Sequence, residues 1–297
     1  MPALDWNRDG RRFPHHDACR FVSAAGLRWL VLEMGEGPTI ALIHGTGASV
    51  HSWRHLAPLL AQRFRVVAMD LPGHGFTERH GSAQSTLPGM ARGVAALLDA
   101  IGARPVAAIG HSAGAAVAIR MALDAPGALA RIVSLNGALL PFGGVAGRVF
   151  APIARALTLN PFVPALFAWR MRDEDAFRRV LMGTGSRLDA EGEALYARLA
   201  ASPAHVSGAL AMMANWDLDA LKADLPRLRT PLTLVAAGND RTIDPGQARA
   251  VKAIVPGAEV VAHPRRGHLS HEEAPEETMA LLEPRLTPLL HSVAEGA

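Results

Sequence analysis

The stretch Gly110-His111-Ser112-Ala113-Gly114 carries the residue types and spacing of nucleophilic catalysis. It follows the apolar run 105–110, which reads as a buried strand, and opens the run 113–124, which reads as a helix. A G-x-S-x-G turn in that setting is a nucleophile elbow: its backbones approach too closely for a Cβ, and it projects the serine above the sheet. Ser112 then sits at a helix N-terminus, where the dipole and the Ala113 N–H can stabilise a developing oxyanion. A serine hydroxyl is a poor nucleophile until a base takes its proton. The order expected for this turn is serine, acid, histidine. His268, after the last predicted strand, is the expected base. Its competitor His271 lies beside Glu272 and Glu273 and reads as part of an exposed helix start.

Two aspartates follow the apolar run 231–237. Asp244-Pro245-Gly246-Gln247 reads as a helix start, with a capping Asp, Pro at the first helical position and Gln at the third. Asp244 therefore has a structural job, whereas Asp240, in Gly238-Asn239-Asp240, has none and is the expected orienting acid. Asn136 ends the strand 131–136, but an amide does not stabilise an imidazolium as a carboxylate does. The second oxyanion donor is expected from His44-Gly45-Thr46-Gly47, at the Thr46 N–H, beside that of Ala113. No Gly-Lys-Ser/Thr follows these glycines, so they form no phosphate loop. Asp70-Leu71-Pro72-Gly73-His74-Gly75 reads as a turn anchoring the sheet edge. His51 and His55, four apart, have the spacing of a metal pair, but no Glu follows His51 and no third ligand is evident. They read as surface or core histidines, and no metal or other cofactor is expected.

Strands and helices must alternate to position these groups. Runs 27–34, 39–44, 65–70, 105–110, 131–136, 231–237 and 258–262 read as strands, and 49–62, 88–101, 113–124, 246–254 and 275–292 as helices. Strands that are continuous Val/Ile/Ala/Leu runs between helices indicate a mainly parallel sheet covered on both faces, an α/β fold. The stretch 139–216 is too long for a loop and reads as an inserted helical cap, dividing the core into 1–138 and 217–297. From Leu139 to Trp169 it carries only two charged residues, Arg148 and Arg155.

The 297 residues are 49% hydrophobic and 19% charged, too apolar for a disordered chain and enough for a large core. Lys+Arg 30 against Asp+Glu 27 gives a formal charge of +3. With only Lys222 and Lys252 as lysines and the arginines scattered, no basic stripe for nucleic acid is present. Cys19 is the single cysteine, so neither a disulfide framework nor a cysteine metal site is expected. Charged residues interrupt the N-terminal segment, and no apolar stretch approaches a membrane span. A cytoplasmic protein is expected, with peripheral membrane contact through the apolar cap as a further expectation.

These residues resemble the α/β-hydrolase superfamily from about Arg20 to Val293, cap included. Several stretches resemble a narrower group, the α/β-hydrolase-type magnesium-chelatase accessory protein of bacteriochlorophyll biosynthesis. They are HGTGAS at His44–Ser49 with Ser52-Trp53-Arg54, DLPGHGFT at Asp70–Thr77, GHSAGAA at Gly110–Ala116 and LNGALLPF at Leu135–Phe142. Thr184-Gly185-Ser186, GALAMMANWD at Gly208–Asp217 and GHLSHEE at Gly267–Glu273 complete the set. The resemblance implies a role around magnesium-porphyrin formation, with chelatase subunits as partners. Dehalogenases and epoxide hydrolases of this fold place Asp at the elbow. Ser112 instead favours ester or thioester cleavage, with a general carboxylesterase or a cofactor-free haloperoxidase sharing the same triad. The opposing reading is a non-catalytic tetrapyrrole-binding or chelatase-assisting module. The expected substrate is a small molecule, a tetrapyrrole or its ester, held by Phe142, Met212, Met213 and Trp216, with Met182 as further soft wall. Arg148 and Arg155 are seven apart, which on a helix places them roughly 10 Å apart on one face, where they could meet propionate carboxylates. Packing of the cap on the sheet is the competing explanation for the apolar residues. Salt bridges to the sheet domain, or a membrane surface, are the competing explanations for the arginines.

Overall fold

The computed structural model describes residues 4–141, 160 and 162–292. The apolar runs form β2 (Leu27–Met34), β3 (Thr39–Ile43), β4 (Arg65–Met69), β5 (Pro105–His111), β6 (Arg131–Leu135), β7 (Leu232–Ala237) and β8 (Glu259–His263), and β1 (Cys19–Ala24) precedes them. They make one sheet in the order β1-β2-β4-β3-β5-β6-β7-β8. From β4 to β8 every pairing is parallel, while β1 with β2 and β2 with β4 are antiparallel. The expected strands hold to within a residue or so at their ends, and the sheet is mainly parallel as read.

Alternate residues of one strand enter opposite cores. Ala41 and Ile43 belong to the cluster on one face, Ile40 and Leu42 to that on the other, all fully buried. This double burial is why these strands read as continuous apolar runs. Helices cover both faces: α1 (Trp6–Asp9), α2 (Leu56–Ala61), α3 (Leu87–Ala100) and α4 (Ala113–Asp124) come before β6. Between β6 and β7 lie α5 (Phe162–Arg170), α6 (Glu174–Met182), α7 (Ala190–Ala200), α8 (Pro203–Ala214) and α9 (Leu218–Asp224). Asp173, Asp189, Ser202 and Asp217 each accept a backbone N–H at the start of α6 to α9, which fixes where these helices begin. The chain closes with α10 (Gly246–Ile254), α11 (Ser270–Glu273), α12 (Pro275–Leu286) and α13 (Leu289–Ser292). Among the described residues no helix is long and apolar enough to cross a membrane.

Four local expectations need correction. β1 was not expected; only Ala24 of its six residues is buried, so it offers no apolar run. The helix expected over 49–62 is a tight turn at Val50–Trp53 followed by α2, because the Val50 N–H is drawn to Asp70 Oδ1 at 2.7 Å. The helix expected over 275–292 ends at Leu286, two residues after the internal Pro284, and restarts as α13. Asp70 ends β4, which lies between β2 and β3, so its turn anchors the interior of the sheet and not an edge.

Candidate active site

β3 and β5 are neighbours although β4 comes between them in sequence, so loops leave their carboxyl ends on either side of a crevice, where open α/β sheets hold ligands. The elbow leaves β5. Ser112 has φ 51° and ψ −118°, a conformation that L residues rarely adopt. A Cβ on Gly114 would stand 2.1 Å from the Ile43 carbonyl oxygen and one on Gly110 would stand 2.4 Å from that of Gly114, so both positions demand glycine. The turn is tied to β6: the Ser112 N–H donates to the Leu135 carbonyl at 3.0 Å, and the Ser112 carbonyl accepts from the Ala138 N–H at 3.1 Å. Ala113 is the first residue of α4, so its N–H has no acceptor within the helix. The Gly45–Thr46 loop flanks the serine closely enough that a Cβ on Gly45 would lie 2.9 Å from Ser112 Cβ. The Thr46 hydroxyl donates to Met212 Sδ at 3.3 Å.

Asp240 and His268 meet. The His268 Nδ1–H donates to Asp240 Oδ2 at 2.8 Å, with both side chains buried. Oδ2 also accepts from Asn136 Nδ2 at 2.9 Å, while Oδ1 accepts the Thr242 and Ile243 N–H groups at 2.8 Å each. Burial works against the charge, but the bonds from His268, Ile243 and Asn136 outweigh it and hold the carboxyl below the usual carboxylate range. Asp244 instead accepts the Gly246 N–H at 2.8 Å ahead of α10, whose N-cap is Pro245, so the helix begins one residue later than the Asp cap and first-position proline that were expected. Two residues that sequence reasoning left without a role brace the pair. Asn136, itself at φ 52°, accepts the Ser270 hydroxyl on Oδ1 at 2.9 Å, linking the acid to the helix that follows His268. His111, the second residue of the elbow, faces the His268 carbonyl through Nε2 at 2.9 Å, so that nitrogen carries the proton.

Behind this pair lies a buried polar cluster. His271 is not at an exposed helix start, as expected, but fully buried, and Glu272 is 5% exposed. Arg54 forms an ion pair with Glu272, both side chains buried, and reaches Asp189 at the start of α7 at 2.9 Å. The Ser52 hydroxyl donates to Glu272 Oε1 at 2.7 Å and accepts from His271 Nε2 at 2.9 Å. Tyr196 of α7 donates to the same Glu272 oxygen at 2.7 Å. His51 pairs with Ser49 and His55 with Asp189, so these two histidines serve separate partners. On the other flank, His205 of α8 accepts the Gly75 N–H on Nδ1 at 3.0 Å and donates from Nε2 to the Gly47 carbonyl at 3.1 Å. Gly208 of α8 packs so closely that a Cβ there would lie 1.9 Å from the Gly73 carbonyl oxygen.

Of the residues expected to bind substrate, Met212 is fully buried in the core cluster that also holds Ala113 and Leu139, and Trp216 is half-buried against it. Met213 is half-buried on α8, and Met182 is exposed at the end of α6. Phe142, Arg148 and Arg155 lie outside the described residues.

The alpha/beta hydrolase fold family matches residues 38–275. The chain is 38% identical to the magnesium-chelatase 30 kDa subunit of Rhodobacter capsulatus, over 88% of this chain and 92% of that protein. It is 30% identical to the pyrrolizixenacetamide deacetylase of Xenorhabdus hominickii, over 84% and 90% of the two chains. Among solved structures, an α/β hydrolase fold protein from Burkholderia ambifaria superposes with a TM-score of 0.73 at 25% identity, over 95% of this chain and 99% of the other. The elbow, the sheet around it and these likenesses agree: the chain belongs to the α/β-hydrolase fold family.

Proposed function

We propose that this protein is a serine hydrolase that cleaves an ester or thioester and acts around magnesium-porphyrin formation in bacteriochlorophyll biosynthesis. The observations that carry the chemistry are the buried Asp240–His268 bond of 2.8 Å, the elbow serine held at φ 51°, and the His111 bond of 2.9 Å that ties the His268 backbone to that elbow. Ser112 Oγ attacks the carbonyl carbon while His268 takes its proton. Asp240 fixes the imidazole with Nδ1 protonated and stabilises the imidazolium. The Thr46 and Ala113 N–H groups receive the charge that develops on the carbonyl oxygen. Collapse of the tetrahedral intermediate expels the alcohol or thiol, which takes the proton from His268. Water activated by the same imidazole then hydrolyses the acyl-serine. Residues 139–216 serve as the cap over this centre, and Met213 and Trp216 supply a wall for a flat ligand whose carboxylates would meet Arg148 and Arg155, while Met212, buried in the core, packs behind that wall.

The pathway assignment rests on the likeness to the Rhodobacter capsulatus protein. Its name also favours a second reading, in which this chain assists chelatase subunits without catalysis. A fluorophosphonate probe followed by intact mass separates the two: the hydrolase reading requires one adduct, localised to Ser112 and lost in Ser112→Ala. No adduct on folded wild type, or an equal adduct on the variant, removes the hydrolase reading. Titration with porphyrin free acids against their methyl esters tests the ligand class; equal binding of both removes the carboxylate clamp. The cap also exposes Phe162, Leu166 and Trp169, at positions i, i+4 and i+7 of α5, by 78, 62 and 62%. This apolar face supports a peripheral membrane contact. Flotation with anionic vesicles that is unchanged in Leu166→Glu/Trp169→Glu would remove that contact.

A further inference from the structure

Beside the Asp240 loop, with Asp240 itself in its wall, a cleft of about 730 Å³ is lined by Arg187, Arg241, Arg265 and Arg266. The four come from three separate segments: the loop before α7, the turn after β7 and the turn after β8. Arg266 is paired with Glu277. Arg187, Arg241 and Arg265 are exposed, and among the described residues no carboxylate pairs with them. The two acids in the lining are already engaged by local donors. Glu273 accepts the Arg187 and Gly267 N–H groups at 2.8 and 2.6 Å, and Asp240 accepts four hydrogen bonds. Asn239 and Ser186 add neutral donors to the same walls. The Ser186 oxygen accepts the Leu269 N–H at 2.8 Å, which leaves its own proton to give.

We propose that this cleft binds a small polyanion, a molecule carrying two or more carboxylate or phosphate groups. Three guanidiniums brought round one concavity repel one another unless an anion lies between them, and each presents a planar fork that fits a carboxylate or phosphate bidentately. The volume falls within the range of small-molecule sites, and a concave wall suits such a ligand better than a flat acidic protein surface would. Binding here does not require the Ser112 chemistry, so the two readings stand or fall separately.

The experiment is calorimetric titration of the full chain with citrate and with inorganic pyrophosphate at low ionic strength, with acetate as the monoanion control. Saturable binding of at least one polyanion is expected, weakened at least tenfold in Arg241→Gln/Arg265→Gln and by raised salt. It should be unchanged in Ser112→Ala and in Arg92→Gln, which alters an exposed arginine on α3. Citrate alone, pyrophosphate alone or both would identify carboxylate, phosphate or either as the group recognised. Absence of saturable binding by either polyanion overturns the proposal. So does a loss below tenfold in the double variant, or an equal loss in Arg92→Gln.

Discussion

Lowering the pH from 7 to 5 should strip this protein of much of its stability, because the fold buries histidines in their neutral form. Burial sets His44 and His111 down to about 3 and His205 to about 4 against their carbonyl hydrogen bonds, whereas an unfolded imidazole titrates near 6.5. The folded state therefore keeps these three neutral at pH 5 while the unfolded state takes up nearly three protons. Stability is present above the unfolded value and drains away as the pH falls through it towards the folded values. Between pH 7 and pH 5 each histidine removes about 1.9 kcal/mol, or about 6 kcal/mol for the three. His51, His74 and His271, all driven well below the ordinary value by burial, act in the same sense.

Asp70 opposes them. Burial pushes its carboxyl up to about 7 despite bonds from the Phe76 and Val50 N–H groups, so the folded state gains a proton over the same interval. That restores about 2 kcal/mol. Glu272, also raised by burial, acts with Asp70, while His51, His74 and His271 act against both. This leaves a net loss of about 4 kcal/mol against a total stability of roughly 5–15 kcal/mol for a typical domain. Carboxylates held low, Asp240 among them, add to the loss only below this window. Urea unfolding at a series of pH values measures the effect directly: the slope near pH 5 should correspond to a net uptake of at least two protons, about 2.7 kcal/mol per pH unit. A flat profile from pH 7 to 5, or an uptake below one proton, would refute the reasoning.

Asn136→Ala removes one of four donors to Asp240 and orphans the buried Ser270 hydroxyl. It should lower kcat on an accepted ester about tenfold and cost about 1–3 kcal/mol by thermal unfolding; unchanged values for both would show that the brace is idle. Glu272→Gln leaves Arg54 buried beside a neutral amide, with only the half-exposed Asp189 to balance it, and should cost about 3 kcal/mol. Tyr196→Phe, which removes one hydrogen bond to the same carboxylate, should cost only about 1 kcal/mol in the same urea titration. The order of these two losses, more than their size, tests the placement of charge. His205→Ala frees the Gly47 carbonyl and the Gly75 N–H together. If the Gly45–Thr46 loop serves the oxyanion, steady-state kinetics should show kcat falling with little change in KM; a rise in KM at constant kcat would contradict it.

What could be read from the sequence was whatever repeats locally or lies within a single turn. Gly110 to Gly114 declares its own strain, because glycines flank a serine between an apolar run and a helix. The order serine, acid, histidine then narrowed the candidates to Asp240 and His268, which the structure brings to 2.8 Å. Asp244 was separable from Asp240 because a helix start has a sequence signature of its own. Contacts across the chain left no such mark. Asn136 meets Asp240 across 104 residues and His111 meets the His268 carbonyl across 157, and neither position has an unusual neighbour. His271 was misjudged for the same reason. Two adjacent glutamates ordinarily mean solvent, but Glu272 has its counter-ion in Arg54, 218 residues away. β1 escaped because half-buried residues at a sheet edge show no continuous apolar run.

A second set of long-range contacts shares a direction that none of them reveals alone: it ties α7 and α8 to segments next to proposed catalytic groups. Met212 meets the Thr46 hydroxyl, and His205, seven residues earlier on α8, holds the Gly47 carbonyl one residue beyond Thr46. Tyr196 of α7 bonds Glu272, four residues after His268, and Asp189 at the head of the same helix holds Arg54, the counter-ion of Glu272. Two helices thus hold the segments next to Thr46 and His268 through polar groups that are largely withdrawn from water, where an unmade hydrogen bond costs about 1–3 kcal/mol. Sliding either helix away from the sheet would break several of these bonds at once. The positions of α7 and α8 are therefore tied to the positions of Thr46 and His268. Any ligand that shifts these helices must also shift the groups proposed to receive the oxyanion and the serine proton.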